Sequence, residues 1–496
     1  MAKRFFAITL VLILIASIFS ACSSSNTEPE ETTAAPTQQS EVIAEDNNTF
    51  KLSYTQADSL NPFDAVTQNN QVLDKLVFES LFNLDDNFKS SLNIASSYNY
   101  SDSTTLNVVI TSGLTFSNGS IITADDIERS FDSAKKSEYW GNTLSGIKSC
   151  RADSSNSVVF NLEYPNAYAQ NLLTFPIVCN DEDNNGYPIG SGRYYFDNEN
   201  GDLVLKANKS NGFSPKITTI HLENITSLDS IDNAVNIGNI SFAFRDLSNY
   251  SSKKISANKK LVNMNNLVYI GLNTKNGITT NPYIRKAISL AVDRSVLVKS
   301  GYGNFAQPAT SIFNPQFELS QTKLFEKEAD INAAKQAISQ SGESNKSLNL
   351  LVNNNNSDRV ACAKLVAQQL ENAGFTVTIS SVTFEEYEGY VSNENFDLYI
   401  GETKIPADMN LNSFFKDGGS TRFGISPNGD VAKVYNDYQN GDCELGTFLL
   451  EFSNEMPYVP LLYRKGMVCF SKAMNGDVQS TNFDYFGNIE NWYFTT

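Results

Sequence analysis

Leu106-Asn-Val-Val-Ile110-Thr-Ser-Gly113-Leu-Thr-Phe116-Ser-Asn-Gly119-Ser-Ile-Ile-Thr123-Ala-Asp-Asp-Ile127 is the stretch on which the fold turns. Leu106, Val108 and Ile110 alternate with Asn107 and Val109, the period of a partly buried strand. Ser117-Asn118-Gly119 is turn chemistry, because Asn and Gly tolerate positive φ. Thr123 stands where a helix N-cap belongs, with Asp125 and Asp126 in the first turn facing the positive end of the helix dipole. Ile127 and Phe131 then fall one turn apart on one helical face.

The chain has 496 residues, 41% of them hydrophobic, with 32 Phe and 22 Tyr. That supports a folded protein too large for one core, organised as two lobes. A formal net charge of −18 without any basic stripe argues against nucleic acid or an anionic bilayer as an electrostatic partner. Lys3 and Arg4 precede an apolar run, Phe5 to Phe19, too short for a comfortable membrane span. Ser23 to Asn48 carries six acids, no basic residue and no aromatic, and reads as a disordered tether. Flexible-chain scaling gives it a reach of about 28 Å. Five cysteines follow Cys22, an odd number that excludes complete internal pairing. Cys362 and Cys469 read as small core residues, whereas Cys150 and Cys179 are read either as a disulfide or as free thiols.

Strand and helix signals alternate from Asp330 onward. A helix capped by Asp330 ends at Gly342, and a strand runs Leu348 to Val352. A helix from Asp358 to Ala373 stops at Gly374. Phe375 to Ile379 is a strand, Phe384 to Val391 a helix and Phe396 to Ile400 a strand, which predicts a mostly parallel sheet. Earlier, Val72 to Leu81 carries a helical stripe. Asn281 and Pro282 open a helix whose Ile284, Ala287, Ile288 and Ala291 form one face, and Asp293 caps the next.

The motifs of the opening stretch, with Ile94-Ala95-Ser96-Ser97-Tyr98 before it, resemble the signature of the family 5 extracellular solute-binding proteins, the peptide receptors of ABC importers. Tyr98 replaces that family's tryptophan, and Thr111 or Ser112 its basic residue. Four further landmarks follow the family's order: Ser59-Leu-Asn-Pro62 with Phe78-Glu-Ser-Leu81; Pro188-Ile-Gly190-Ser-Gly192-Arg-Tyr194; Tyr269 to Thr274 with Arg285 to Arg294; and Val459-Pro-Leu-Leu-Tyr463. Phe19-Ser20-Ala21-Cys22 is similar to a bacterial lipobox, although Phe19 stands where leucine is usual. The resemblance covers about residues 49–475. It implies an α/β, two-lobe periplasmic-binding-protein-like fold with an extra subdomain in the first lobe and a hinge between lobes. The expected division is a lipoprotein signal peptide (1–21), a lipidated Cys22 with an acidic tether (22–48), lobe 1 (49–264, with a subdomain at about 80–188), lobe 2 (265–470) and a return segment (471–496). The hinge is expected near residues 264–268 and 471–475.

One histidine, His221, lies in an alternating strand, so triad chemistry has little to build on, and no metal-ligand spacing occurs. The expectation is a non-enzyme with no cofactor and no metal. It would work as a monomer anchored by lipid on the outer face of the cell membrane, binding a peptide or other small solute and an ABC permease, with no nucleic acid. A surface sensor of the same fold is the alternative. Candidate ligand contacts are Gln56, Asp58 and Ser59 after the first strand, Tyr269 and Asn273 at the crossover, and Glu402, Lys404, Asp408 and Arg422 in the second lobe. Glu402 stands where peptide-binding relatives carry a tryptophan. Spaced two apart on an extended segment, Glu402 and Lys404 would face one side and meet the two ends of a zwitterion. Asp408 is displaced from the family's amine-holding aspartate, and Arg422 is a second candidate for a carboxylate.

Overall fold

A computed structural model describes residues 49–210, 212–248, 255–426 and 429–494. The expected signal peptide, Cys22 and tether lie outside the described residues.

The opening stretch folds as its pattern requires. Thr105–Ile110 is a strand in which Leu106, Val108 and Ile110 are buried. Gly119 takes a positive φ of 87° at the turn. Thr123 precedes the helix Ala124–Lys136, and the Asp126 carboxylate accepts from both the Thr123 backbone N–H (2.9 Å) and its hydroxyl (2.8 Å). The helix lays Ile127 and Phe131 on a four-stranded antiparallel sheet, ordered Ala95–Asp102, Thr105–Ile110, Ser157–Leu162 and Ile147–Ser154. Each fully buried side chain of this size contributes about 1.5–3 kcal/mol.

A second, eleven-stranded sheet runs through the molecule. At its centre two long strands, Asn258–Leu272 and Tyr458–Phe470, pair antiparallel. On one side of them lie Leu398–Lys404, Ser347–Asn353 and Thr376–Val382; on the other lie Phe242–Arg245, Phe50–Tyr54, Thr219–Asn224 and the hairpin Asp202–Ala207 with Tyr194–Glu199. The sheet as a whole is mixed, while the three strands of the alternating stretch after Asp330 pair parallel, as expected. Parallel pairing is confined to a patch around Ser347–Asn353 and a patch around Phe50–Tyr54. The two long strands stand between the patches and reverse direction.

Three large apolar clusters divide the interior. One packs against the four-stranded sheet. A second joins Phe50 and Phe242 to the C-terminal Phe486 and Trp492, with ring centroids 4.9–6.2 Å apart. The third holds Leu267–Leu272 with the helices that follow. Asn281 caps Pro282–Ala291 by accepting from the Tyr283 N–H. Asp293, Asp330 and Gly342 stand at the helix ends their chemistry favours.

One expected helix is corrected. It spans Gln68–Val77, not Val72–Leu81, because Phe78 turns to extended backbone and the Val77 carbonyl accepts from the Gly192 N–H (2.9 Å). That approach explains the Gly190/Gly192 pair: a Cβ on either would lie 2.0 or 2.4 Å from a helix carbonyl, of Val77 or Leu76 respectively. Across the central strands two tyrosines occupy the space that two glycines leave. Tyr399 lies opposite Gly271 and Tyr269 opposite Gly401, and a Cβ on Gly271 would fall 2.0 Å from the Tyr399 ring. The five described cysteines are all free thiols, so Cys150 and Cys179 form no bridge.

Candidate functional site

The sequence pattern ends the strand at Ile400, with Glu402 and Lys404 on the extended segment beyond it. The strand in fact runs Leu398–Lys404, because its neighbour continues: Glu402 pairs with Val268 and Lys404 with Asn266. The loop that remains is pinned by Asn265, whose carbonyl accepts from Ile405 N–H (2.9 Å) and whose amide donates to the Ile405 carbonyl (2.8 Å).

Glu402 and Lys404 do not act as a pair. The Glu402 side chain is only 6% exposed and receives Arg359 Nη2 at 2.8 Å and Arg464 Nε at 2.6 Å, with Asn266 Nδ2 at 3.1 Å. Arg464 also holds Asp246 at 2.6 Å. Burial alone would pull the Arg464 guanidinium below its ordinary value, but Glu402 and Asp246 beside it hold it above. The buried Arg464 and the half-buried Arg359 share that counter-charge, so the Glu402 carboxylate is committed inside the protein. Lys404, by contrast, is exposed, its ammonium 5.4 Å from the Tyr139 ring.

Lys404 borders a chamber of about 210 Å³. Lys75, Trp140, Asp246 and Asn266 contribute to its wall. Trp140 Nε1 and Asn266 Oδ1 are buried there without a hydrogen-bond partner, one donor and one acceptor that a polar solute would satisfy.

Four residues along, Asp408 forms part of the wall of a cavity of about 600 Å³ beside Tyr100, Tyr164, Tyr168, Tyr435 and Tyr438, a size typical of small-molecule sites. The Asp408 carboxylate is 6% exposed. It accepts from Asn166 Nδ2 (2.8 Å), the Tyr164 hydroxyl (3.4 Å), and the Asn410 backbone (3.2 Å) and amide (2.7 Å). All four donors are neutral, and among the described residues no cationic side chain pairs with it. Burial raises its carboxyl above the usual value against the pull of the Asn410 and Asn166 donors.

The other candidates sit elsewhere. Gln56 is exposed and exchanges hydrogen bonds with Asn224. Asp58 accepts from the Val66 and Thr67 backbone and the Thr67 hydroxyl at the entry to the helix Gln68–Val77, and Ser59 accepts from Asn61 N–H. Tyr269 is buried among Tyr399, Phe414 and Tyr458. Asn273 spends its amide on the Glu394 and Phe396 carbonyls. Arg422 pairs with Asp417. Residues that sequence reading did not select are Tyr139, Trp140, Asn166 and Asn266. The adjacent aromatics in Ser137-Glu-Tyr-Trp-Gly141, between polar neighbours, were the available signal; the two asparagines carry none.

Residues 89–422 match the family model for "Bacterial extracellular solute-binding proteins, family 5 Middle". The glutathione-binding protein GsiB of Escherichia coli (strain K12) is 25% identical over 286 residues, 53% of this chain and 56% of that one. The chain thus spans little more than half the length of the curated relatives it matches first. The substrate-binding protein CtaP from Listeria monocytogenes superposes with a TM-score of 0.71 at 19% identity, over 90% of this chain and 99% of the other. A putative peptide-binding protein AppA from Clostridium difficile gives 0.69 at 19%, over 90% and 100%. At these identities the likeness establishes the fold: α/β, of the two-lobe periplasmic-binding-protein type. Among the described residues no helix is long and apolar enough to cross a membrane.

Proposed function

From the premise that this chain belongs to the family 5 bacterial extracellular solute-binding proteins, we propose that it is the lipid-anchored receptor of an ABC importer and captures short peptides bearing a free ammonium group. The observation that carries this reading is Asp408, a buried carboxylate held only by neutral donors at the wall of a tyrosine-lined cavity. An incoming ammonium supplies the missing counter-charge in a low-dielectric setting, where a charge-assisted hydrogen bond is strongest. Lys404, Trp140 Nε1 and Asn266 Oδ1 receive the polar remainder across the loop Ile405–Asn410. The relatives named for glutathione and for peptides support this ligand class.

Lobe closure would trap the solute and present both lobes to the permease. The two long strands offer a place for such a hinge: their pairing shifts register between Asn263 and Leu267, next to the 264–268 crossover. Cys22 would carry the lipid, and the acidic tether after it would let the folded part turn toward the permease. Binding without chemistry is the reading, with His221 simply a member of the strand Thr219–Asn224.

Calorimetric titration with di- and tripeptide pools, each compared with its N-acetylated counterpart, tests the proposal. Free peptides are expected to bind and acetylated ones to fail. Equal affinity for both would remove Asp408 from the ligand contacts, and no binding by any pool would remove the peptide reading.

A further inference from the structure

Away from both chambers, a cavity of about 330 Å³ opens between the end of the helix Gln68–Val77 and the loop Ser191–Arg193. Its walls divide by chemistry. Ile94, Leu114, Ile122 and Phe213 make an apolar side, and Glu79, Ser191 and Arg193 a polar one.

The polar side is incompletely satisfied. Asn93 donates to one Glu79 oxygen at 2.7 Å, and no cation pairs with that carboxylate among the described residues. The Ser191 hydroxyl, on a residue 4% exposed, has no partner. Arg193 spends its Nη atoms on the Asp484 carboxylate and on the Lys75 and Phe486 carbonyls, at 2.7–2.9 Å. Its buried Nε–H is left without an acceptor. Two buried donors without an acceptor, Ser191 Oγ and Arg193 Nε, thus share one recess with the Glu79 carboxylate, beside an apolar wall. Buried polar groups are normally paired, so the two donors call for an acceptor, and the Glu79 carboxylate beside them offers a place for a cationic donor.

We propose that this cavity binds a single free α-amino acid with an apolar side chain, at a site separate from the cleft. The α-ammonium meets Glu79, the α-carboxylate meets Ser191 Oγ and Arg193 Nε, and the side chain lies on Ile94, Leu114, Ile122 and Phe213. The small volume, at the lower end for ligand sites, suits a single amino acid. Because Arg193 also holds the Lys75 carbonyl, and Lys75 borders the chamber beside Lys404, the two sites share one helix end.

The test is calorimetry and thermal melting of the purified protein with L-leucine, N-acetyl-L-leucine and L-leucinamide. L-leucine is expected to bind one to one and raise Tm, and each blocked analogue to bind at least tenfold more weakly. Glu79→Gln keeps the shape and the Asn93 contact and is expected to lose at least tenfold in leucine affinity. Leu114→Trp, which fills the apolar side from a different wall, should abolish binding, and Asp408→Asn should leave it intact. Absence of leucine binding to the unaltered protein overturns the proposal. So do blocked analogues that bind as well as leucine, and so does leucine binding that survives both cavity variants or disappears with Asp408→Asn.

Discussion

Asn166 and Asp408, 242 residues apart in the chain, meet through a 2.8 Å hydrogen bond from amide to carboxylate. The contact ties the loop after the strand Ser157–Leu162 to the loop after Leu398–Lys404, and it holds a negative charge in place with a neutral donor. Replacing Asp408 by Asn removes the charge and keeps the shape. Affinity for a peptide with a free amine should fall by about 2 kcal/mol, near thirtyfold. Calorimetry reads this directly, and an unchanged affinity would sink the assignment.

The same carboxylate sets a pH dependence. Burial raises its pKa, so the folded protein binds its proton more readily than the unfolded chain does. As pH falls through that raised value, the penalty for a buried charge disappears and this group's contribution to stability improves. Peptide affinity moves the opposite way, since a neutral acid no longer attracts an ammonium. Melting and titration series at stepped pH should therefore diverge in acid, and a parallel fall in both would contradict the scheme. Asp408→Asn should flatten the affinity profile.

Trp140 and Trp492 report on different places. Trp140 borders the chamber beside Lys404, whereas Trp492 is fully buried against Phe50, Phe242 and Phe486. Peptide binding should change the intrinsic fluorescence of the protein, Trp140→Phe should silence that change, and Trp492→Phe should leave it. A signal that survives Trp140→Phe would move the solute out of this chamber.

Glu402→Gln leaves Arg464 and Arg359 without their shared counter-charge. Breaking a buried pair by removing one partner costs about 3–5 kcal/mol, and urea unfolding should show a loss of about 3 kcal/mol. A loss below about 1 kcal/mol would mean that solvent reaches the cluster.

Gly190→Ala introduces a Cβ 2.0 Å from the Val77 carbonyl oxygen. Backbone cannot retreat there without disturbing the helix end, so a loss of about 3 kcal/mol is expected, at the upper end for overpacking. Gly119→Ala, where φ is positive but the space is open, should cost only about 1–2 kcal/mol. Similar melting losses for the two variants would refute the steric account.

What could be read from the chain was local. The Asn281-Pro282 start, the Asp293 cap, the Gly342 and Gly374 stops and the Ile284 to Ala291 stripe each depend on neighbours within a turn or two, and each stands where its chemistry puts it. The features that the local pattern does not reveal depend on distant partners. The strand through Glu402 is long because Asn266 and Val268 lie beside it. The Glu402 carboxylate is engaged within the protein because Arg359 and Arg464 arrive from other elements. The local pattern at Asp408 gave no warning of Tyr164 and Asn166, nor the pattern at Tyr269 of the aromatic cage around it.

The exchange of tyrosine for glycine between the strands Asn258–Leu272 and Leu398–Lys404 ties their register to shape as well as to burial. Tyr399 is seated over Gly271, and Tyr269 together with the edge of Tyr399 fills the space over Gly401. A slip of two residues keeps the inward faces inward, the kind of error that hydrophobic patterning alone does not detect. In one direction it would set Tyr269 against Tyr399 and Gly401 opposite Leu267; in the other it would set Gly271 against Gly401 and leave both rings without their glycines. A mistake that burial would tolerate is thus disfavoured by shape, and the register that places Lys404 beside Asn266 is the one that seats both rings.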